Sequence, residues 1–273
     1  ARIERDDEAY AGGRDVVQLD VHGEIIRQVL CERIVHGRPR GVSVNDGFCT
    51  LARRTAAAFR GAEMPGLREL LAAHAPLLIL DAASTRVQVG ALWGDGRAEW
   101  RASDEEAGVG LFQCLEQLPL APGEAGAFVF CEGPGSVLGI RTAAMAIRTW
   151  NVLKPRPVFA YSSLSLVAHA SGNAKLGVIA DARRDAWHHY QIGTGLRRLA
   201  AAALTGELVM PEHFRHWSPL PALVTRVPYS LADLLPRIAA ADLFRATDAP
   251  DAFLHEEPSY VTWTPKIHRA PAP

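Results

Sequence analysis

The sequence carries almost no net charge and few lysines, and this lack of excess positive charge argues against a dedicated nucleic-acid-binding protein. Its 29 basic and 30 acidic residues leave a net charge of −1 at neutral pH. Only Lys154, Lys175 and Lys266 are lysines; the other basic residues are arginines. A dedicated nucleic-acid surface requires a clustered excess of basic side chains. We therefore expect any contact with nucleic acid to pass through a partner protein.

Cysteines and long apolar runs are also scarce. Cys31, Cys49, Cys114 and Cys131 form no CxxC pair and have no metal-ligand spacing, which predicts reduced thiols in a reducing compartment. No apolar run approaches the roughly 20 residues that span a bilayer. The start, Ala1 to Asp7, is mostly charged and is not followed by a signal-peptide segment. These features predict a cytoplasmic protein without a membrane span.

The common catalytic signatures are missing as well. There is no GxSxG turn around a serine. His188 and His189 are adjacent on a predicted strand and so face opposite sides, and His213 and His216 have no third ligand nearby. We therefore predict neither a catalytic serine nor a metal site.

Hydrophobic patterning divides the chain into four segments. Residues 1–63 read as an N-terminal extension, partly helical or disordered, with one amphipathic stretch from Val16 to Val35. A first α/β lobe is predicted over 64–172 and a reduced second lobe over 173–264. Residues 265–273 form a proline-rich tail that is expected to fray.

Within the first lobe the predicted order is strand, strand, strand, helix, strand, helix, strand, helix. The strands are predicted at 77–81, 86–93, 97–101, 127–131 and 157–161, and the helices at 103–118, 138–153 and 162–170. A second set begins similarly, with strands at 176–180 and 186–192, and then weakens to one strand within 219–227 and a helix over 230–240.

Asp81 and Asp181 close the first strand of each half, and a glycine-rich turn, Gly133 to Ser136, joins a buried strand to a helix. Glycines before a helix N-terminus suit a phosphate loop. However, the turn matches neither GxxxxGK[ST] nor GxGxxG, so close packing explains it slightly better. The turns after the two aspartates lack glycine, and we interpret both acids as structural remnants hydrogen-bonded at strand ends.

Small residues form a stripe on the predicted helix from Leu138 to Leu153. Gly139, Ala143 and Ala146 lie along it, and such spacing lets another helix approach closely. The stripe serves either the chain's own core or a subunit interface. The interface interpretation predicts that Ala143→Arg abolishes partner binding while the fold survives.

Several blocks together resemble one family. These are Leu78 to Thr85, Glu132 to Arg141, Tyr161 to Leu164, Asp181 to Trp187 and Glu257 to Val261. In this order and spacing they resemble the TsaB (YeaZ) family, over about residues 76–263. The combination of the Gly-Pro-Gly-Ser block with Asp-Ala-Arg-Arg is quite specific.

The resemblance implies an actin-like α/β fold with two related lobes, the second one reduced. It also implies a non-catalytic scaffold that binds a catalytic TsaD subunit. With the ATPase TsaE, that subunit attaches a threonylcarbamoyl group to adenosine in tRNA. tRNA is then reached only through the complex, and any ATP is bound at the partner or the heteromer interface. Such proteins are often given an M22 peptidase label. The catalytic relatives carry an HxxxH metal motif on the first-lobe helix, whereas this chain has no histidine between Ala75 and Ala168, so the label is not supported here.

The resemblance also indicates candidate site residues. The candidate partner interface is Leu111, Leu115, Gly139, Thr142, Ala143 and Ala146. The family motif, interpreted as a vestigial phosphate site, is Asp81, Ser84, Thr85, Gly133, Pro134, Gly135, Ser136, Arg141, Asp181, Arg183 and Arg184. Gly108 and Gly110 depart from the family pattern and weaken the start of the predicted 103–118 helix.

Two other functions stay open at this stage. An actin-like ATP-dependent sugar or acyl-group kinase has the same fold class but requires glycine-bearing phosphate turns. A divergent homodimeric binding protein would use the same helices for self-association.

Overall fold

The computed structural model describes residues 64–221 and 223–254. The predicted extension over 1–63, the motif from Glu257 to Val261 and the tail over 265–273 lie outside the described residues. Within the described part, no helix has the length and apolarity needed to cross a membrane.

The first sheet has six strands in the order β11-β5-β4-β1-β2-β3. They are β1 (Leu77–Asp81), β2 (Val87–Leu92), β3 (Ala98–Ser103), β4 (Ala127–Gly133), β5 (Val158–Ser162) and β11 (Arg245–Ala246). β1, β2 and β3 form an antiparallel meander, whereas β4 and β5 run parallel to β1. Every residue of β1 and β2 is buried, so apolar side chains predominate on both faces, with Asp81 and Gln88 as the polar residues of these strands.

The second sheet has five strands in the order β10-β9-β6-β7-β8. They are β6 (Gly177–Asp181), β7 (Ala186–Gln191), β8 (Gly195–Ala200), β9 (Leu208–Pro211) and β10 (Val224–Val227). β6 to β8 again form an antiparallel meander, with β9 parallel to β6 and β10 parallel to β9. The five strands thus repeat the order and directions of β1 to β5. This duplicated arrangement confirms the predicted actin-like α/β fold with two related lobes.

Among the described residues, five α-helices accompany the sheets: α1 (Leu67–His74), α2 (Ala107–Glu116), α3 (Val137–Leu153), α4 (Ser163–Ser171) and α5 (Leu231–Arg237). In the first lobe α2, α3 and α4 follow β3, β4 and β5. In the second lobe only a short 3-10 helix, Ala201–Ala203, follows β8, and the connection from β9 to β10 has no helix among its described residues. The second lobe is therefore reduced in helices rather than in strands.

One predicted boundary is wrong for a local reason. Ser103 does not cap a helix, because it pairs with Val87 as the last residue of β3, and α2 begins at Ala107. The strand predicted within 219–227 is observed as β10, Val224–Val227. The predicted lobe boundary at 172/173 falls between α4 and β6, at Gly172, whose left-handed backbone (φ 68°) ends α4.

Candidate functional site

Asp81 is the centre of a buried polar cluster in the first lobe. It ends β1 and is completely buried. Its Oδ2 accepts hydrogen bonds from the hydroxyls of Tyr161 and Tyr229, both at 2.6 Å, and its Oδ1 accepts one from the backbone N–H of Ala83 at 2.9 Å. Burial raises the pKa of Asp81, although these hydrogen bonds and the Cys131 thiol oppose the shift.

Tyr229 reaches Asp81 from the second lobe, and neighbouring contacts reinforce this link. The Gln88 side chain donates to the Tyr229 carbonyl at 3.0 Å and accepts from the Leu231 N–H at 2.9 Å. The N–H of Thr85 donates to the His213 carbonyl at 2.8 Å. The position beside Asp81 is thus filled by the protein's own second lobe.

The glycine-rich turn packs against the segment after Asp81. A Cβ on Gly135 would lie 2.3 Å from the Ala83 carbonyl oxygen, and one on Gly139 would lie 2.1 Å from that of Ala82. The Ser136 N–H donates to the Ala83 carbonyl at 2.7 Å, while its hydroxyl caps α3 by accepting from the Gly139 N–H at 3.3 Å. The glycines therefore permit a close approach between two turns of the chain.

The remaining members of this motif are also engaged by the chain. The Ser163 hydroxyl donates to the carbonyl of Pro134 at 2.6 Å, and Ser84 exchanges hydrogen bonds with the backbone of Arg86. Gly133 adopts a left-handed backbone with φ 110°. Arg141 points away from the aspartate and pairs with Asp251, with Nε 3.2 Å from Oδ1.

Asp181 occupies the equivalent position in the second lobe but has different partners. Its Oδ1 accepts from the Arg183 N–H at 2.6 Å, and its Oδ2 accepts from the N–H groups of Trp217 and Ser218 at 2.7 and 2.8 Å. Burial raises its pKa, but the backbone donors of Ser218, Trp217 and Arg183 outweigh burial, and the net pKa is lowered.

The two aspartates therefore hold the chain together, and their oxygens are already hydrogen-bonded. Within 64–221 and 223–254, no group of three or more His, Cys, Asp or Glu side chains is arranged to hold a metal ion. The sequence motif brings Asp81, Ser84, Thr85 and the glycine-rich turn together, whereas Asp181, Arg183 and Arg184 form a separate cluster in the second lobe.

The predicted interface residues require a correction. Leu111, Leu115, Gly139, Ala143 and Ala146 are all buried, and only Thr142 is half-exposed. The stripe of small residues faces inward because α3 packs on α2 and on β1 and β4. Gly139 lies close to the backbone of Ala82, the residue after β1. These five residues belong to the core of the first lobe.

A different face of α3 is exposed and apolar. Leu138, Met145 and Val152 are 78%, 54% and 72% exposed, and they recur at intervals of seven residues. Thr142 and Thr149 lie between them, so the five residues follow the alternating four- and three-residue spacing of a helix-packing seam. Each threonine hydroxyl donates to the carbonyl four residues earlier, at 3.0 and 2.8 Å. The hydroxyls are therefore satisfied internally. We call these five residues the α3 seam.

Sequence reasoning missed Tyr229, Gln88 and Trp217 as site residues. Tyr229 is 148 positions from Asp81 in the chain, and no local pattern joins them. The α3 seam carried a signal, since the seven-residue recurrence of Leu138, Met145 and Val152 is visible in the sequence.

Comparisons with known proteins find matches among solved structures. No protein-family model matches the chain, and no curated protein matches it. Among solved structures, it is similar to an uncharacterized Pseudomonas aeruginosa protein described as similar to peptidase YeaZ, with 22% identity and a TM-score of 0.44. That match covers 59% of this chain and 88% of the other. It is also similar to YeaZ from the same organism, with 23% identity, 59% and 89% coverage and a TM-score of 0.42. Both neighbours carry the YeaZ name of the family that the sequence motifs resemble.

Proposed function

We propose that this chain is a non-catalytic scaffold subunit that binds a helical partner protein through the α3 seam. The exposed seam carries this proposal. A solvated helix of a monomer normally places polar side chains on its outer face. Here three large apolar side chains recur every seven residues, which is the spacing that packs against another helix at a shallow angle. The seam thus has the pattern of a helix-to-helix interface.

The state of the two aspartates supports a non-catalytic role. An actin-like phosphotransferase would need Asp81 and Asp181 available to metal or phosphate. Instead, tyrosine hydroxyls and backbone N–H groups occupy their oxygens. Binding a metal at Asp81 would require the loss of at least one buried hydrogen bond, at about 1–3 kcal/mol.

The resemblance to the TsaB family suggests the partner and the process. We infer that the partner is a TsaD-like catalytic subunit acting with a TsaE-like ATPase in the cytoplasm. The complex would transfer a threonylcarbamoyl group to adenosine in tRNA. The chain's net charge of −1 fits a subunit that leaves tRNA binding to its partners.

The test is size-exclusion chromatography with light scattering on the full chain mixed with the TsaD-like protein of the same organism. We expect a stable one-to-one complex. Leu138→Glu combined with Met145→Glu should weaken the complex at least 100-fold, because two charges would be buried without partners (about 3 kcal/mol or more). Both side chains are exposed, so the fold should be retained.

Ala202→Glu is the control for an added charge, since it places the same charge on an exposed apolar residue of the short helix Ala201–Ala203, outside the α3 seam. It should leave the complex unchanged. If the wild-type chain stays alone and calorimetry shows tight ATP binding, the kinase alternative replaces the scaffold proposal. If the wild type self-associates and the seam variant becomes monomeric, the homodimeric alternative is favoured.

A further inference from the structure

The strained backbone of the described chain is concentrated in one region of the second lobe. Five non-glycine residues have positive φ: Arg183, Arg184, Asp185, His213 and Leu223, with φ between 53° and 66°. All of them lie in the β6–β7 turn or in the connection between β9 and β10. Each such residue costs on the order of 1–3 kcal/mol, and such strain is retained where the surrounding structure fixes it.

Asp181 joins the two segments that contain these residues, the β6–β7 turn and the connection between β9 and β10. One oxygen accepts the Arg183 N–H from the β6–β7 turn, and the other accepts the N–H groups of Trp217 and Ser218. The Arg183 guanidinium stacks over the Trp217 ring, 3.7 Å from its centroid. Such a stack orders both side chains in advance of any binding event.

Exposed apolar and basic side chains are concentrated in these two segments, which the Asp181 hydrogen bonds and the Arg183–Trp217 stack hold together. Trp217, Leu220 and Leu223 are 59%, 40% and 97% exposed and lie within seven residues of one another in the chain. Among the described residues, the exposed Arg184 and Arg215 have no carboxylate within salt-bridge distance. We call these three apolar residues, with Arg183, Arg184 and Arg215, the Trp217 patch.

We propose that the Trp217 patch is a second protein-docking surface, which takes a segment carrying carboxylates beside a large apolar side chain. Trp and Arg are the residues that most often dominate binding energy at protein interfaces. The unpaired arginines select an acidic partner, and a pre-stacked Arg183–Trp217 pair lowers the entropy lost on binding. This proposal is independent of the α3 seam and does not rest on the partner suggested above.

The exposed leucines favour a protein over single-stranded RNA. RNA modules stack bases on aromatic rings and bind phosphates with clustered cations. Leu220 and Leu223 offer neither interaction. Asp185 and Glu212 also lie in these segments, so the positive charge is confined to single arginines, which suits a short acidic segment rather than an extended phosphate backbone.

The proposal is tested by selecting from a displayed library of random twelve-residue peptides on the immobilised full chain. The selection is repeated with Trp217→Ala/Arg184→Glu as the counter-target. We expect wild-type peptides enriched in Asp or Glu flanking Leu, Ile or Phe. The synthetic form of the most enriched peptide should bind at least tenfold more weakly to Arg184→Glu and to Trp217→Ala, as measured by fluorescence anisotropy.

Arg237→Glu is the control for a general charge effect, because it reverses an exposed arginine on α5 outside the patch. It should not change binding. Replacing the acidic residues of the peptide by lysine should abolish binding to the wild type and restore part of it with Arg184→Glu. The proposal is overturned if no sequence is enriched, if enriched peptides bind the double variant equally well, or if a twelve-nucleotide uridine RNA binds the patch more tightly than the peptide.

Discussion

Asp81 and Asp181 occupy equivalent positions at the ends of β1 and β6, yet their environments shift their pKa values in opposite directions. Asp81 is completely buried, and desolvation is the larger effect, so its pKa is raised. Asp181 is partly solvated and accepts three backbone hydrogen bonds, so its pKa is lowered. Two copies of one sequence position therefore contribute differently to stability.

This difference predicts two opposite pH dependences. Where the folded pKa is raised, the folded state binds more protons than the unfolded state, and the unfolding free energy falls as pH rises above about 4 toward the raised value. Asp81→Asn should remove this fall. Where the folded pKa is lowered, stability is present above about pH 4 and is lost as pH falls. Asp181→Asn should remove that acid-side loss.

Urea unfolding at several pH values between about 2.5 and 7.5 measures both effects, because the Asp181 effect lies on the acid side of about pH 4. The wild-type free energy minus that of Asp81→Asn should decrease with rising pH, and the wild type minus Asp181→Asn should increase. The same sign for both differences would contradict the assigned environments. Asp81→Asn should also lose about 1–3 kcal/mol at all pH values, because an amide cannot accept all the bonds that the carboxylate accepts.

At this scale the sequence predicted the role of glycine but not the partners of the acids. The turn that contains Gly135 is interpreted as a packing turn because it matches no phosphate loop, and the close approach of Gly135 to Ala83 gives the physical reason. Gly139, a candidate interface residue, instead closely approaches Ala82. Tyr229 could not be predicted as the partner of Asp81, because that contact depends on how the two lobes meet.

The helix α3 has two faces with different surroundings, and the small-residue face that the sequence offered as a candidate interface is buried in the first lobe. The small residues Gly139, Ala143 and Ala146 face the core of the first lobe, whereas Leu138, Met145 and Val152 face solvent. Small side chains on a helix indicate close packing, but the sequence does not say whether the neighbour belongs to the same chain.

A matched pair of substitutions on α3 tests this assignment. Ala143 is 1% exposed, so Ala143→Arg forces a large charged side chain into the core and should destabilise the fold by about 3 kcal/mol or more. Met145 is 54% exposed, so Met145→Arg should change stability by no more than about 0.5 kcal/mol. Circular dichroism with urea unfolding measures both, and a stable Ala143→Arg variant would mean that the stripe is solvent-facing.

The strands of the first lobe were predictable, and several later ones were not. β1 up to Leu80 and β4 up to Cys131 are apolar runs of the length typical of a buried strand. β8 reads Gly-Leu-Arg-Arg-Leu-Ala and is half-buried, without clean alternation, and β9 has only four residues. β11 has two exposed residues held by pairing with β5. Their positions depend on tertiary pairing more than on local pattern.

For the molecule as a whole, the duplicated strand order explains why two related halves were predictable from two similar short segments. Leu77 to Asp81 and Gly177 to Asp181 begin the two meanders, and each repeats the same five-strand order. The lobes meet where Tyr229, Gln88 and Thr85 join the second lobe to the first. These contacts fill the position beside Asp81, and the exposed α3 seam lies on a different element.

We propose that this molecule binds its partner through the α3 seam and that Asp81 and Asp181 take no part in catalysis. The most direct measurement is the rate of threonylcarbamoyl transfer to tRNA in a mixture of the full chain with TsaD-like and TsaE-like proteins of the same organism. Three forms are compared at a temperature at which each is folded: wild type, Asp181→Asn, and Leu138→Glu/Met145→Glu. We predict that Asp181→Asn retains the wild-type rate within about threefold, or 0.7 kcal/mol, and that the seam variant loses the stimulation. An active seam variant together with an inactive Asp181→Asn would contradict the account.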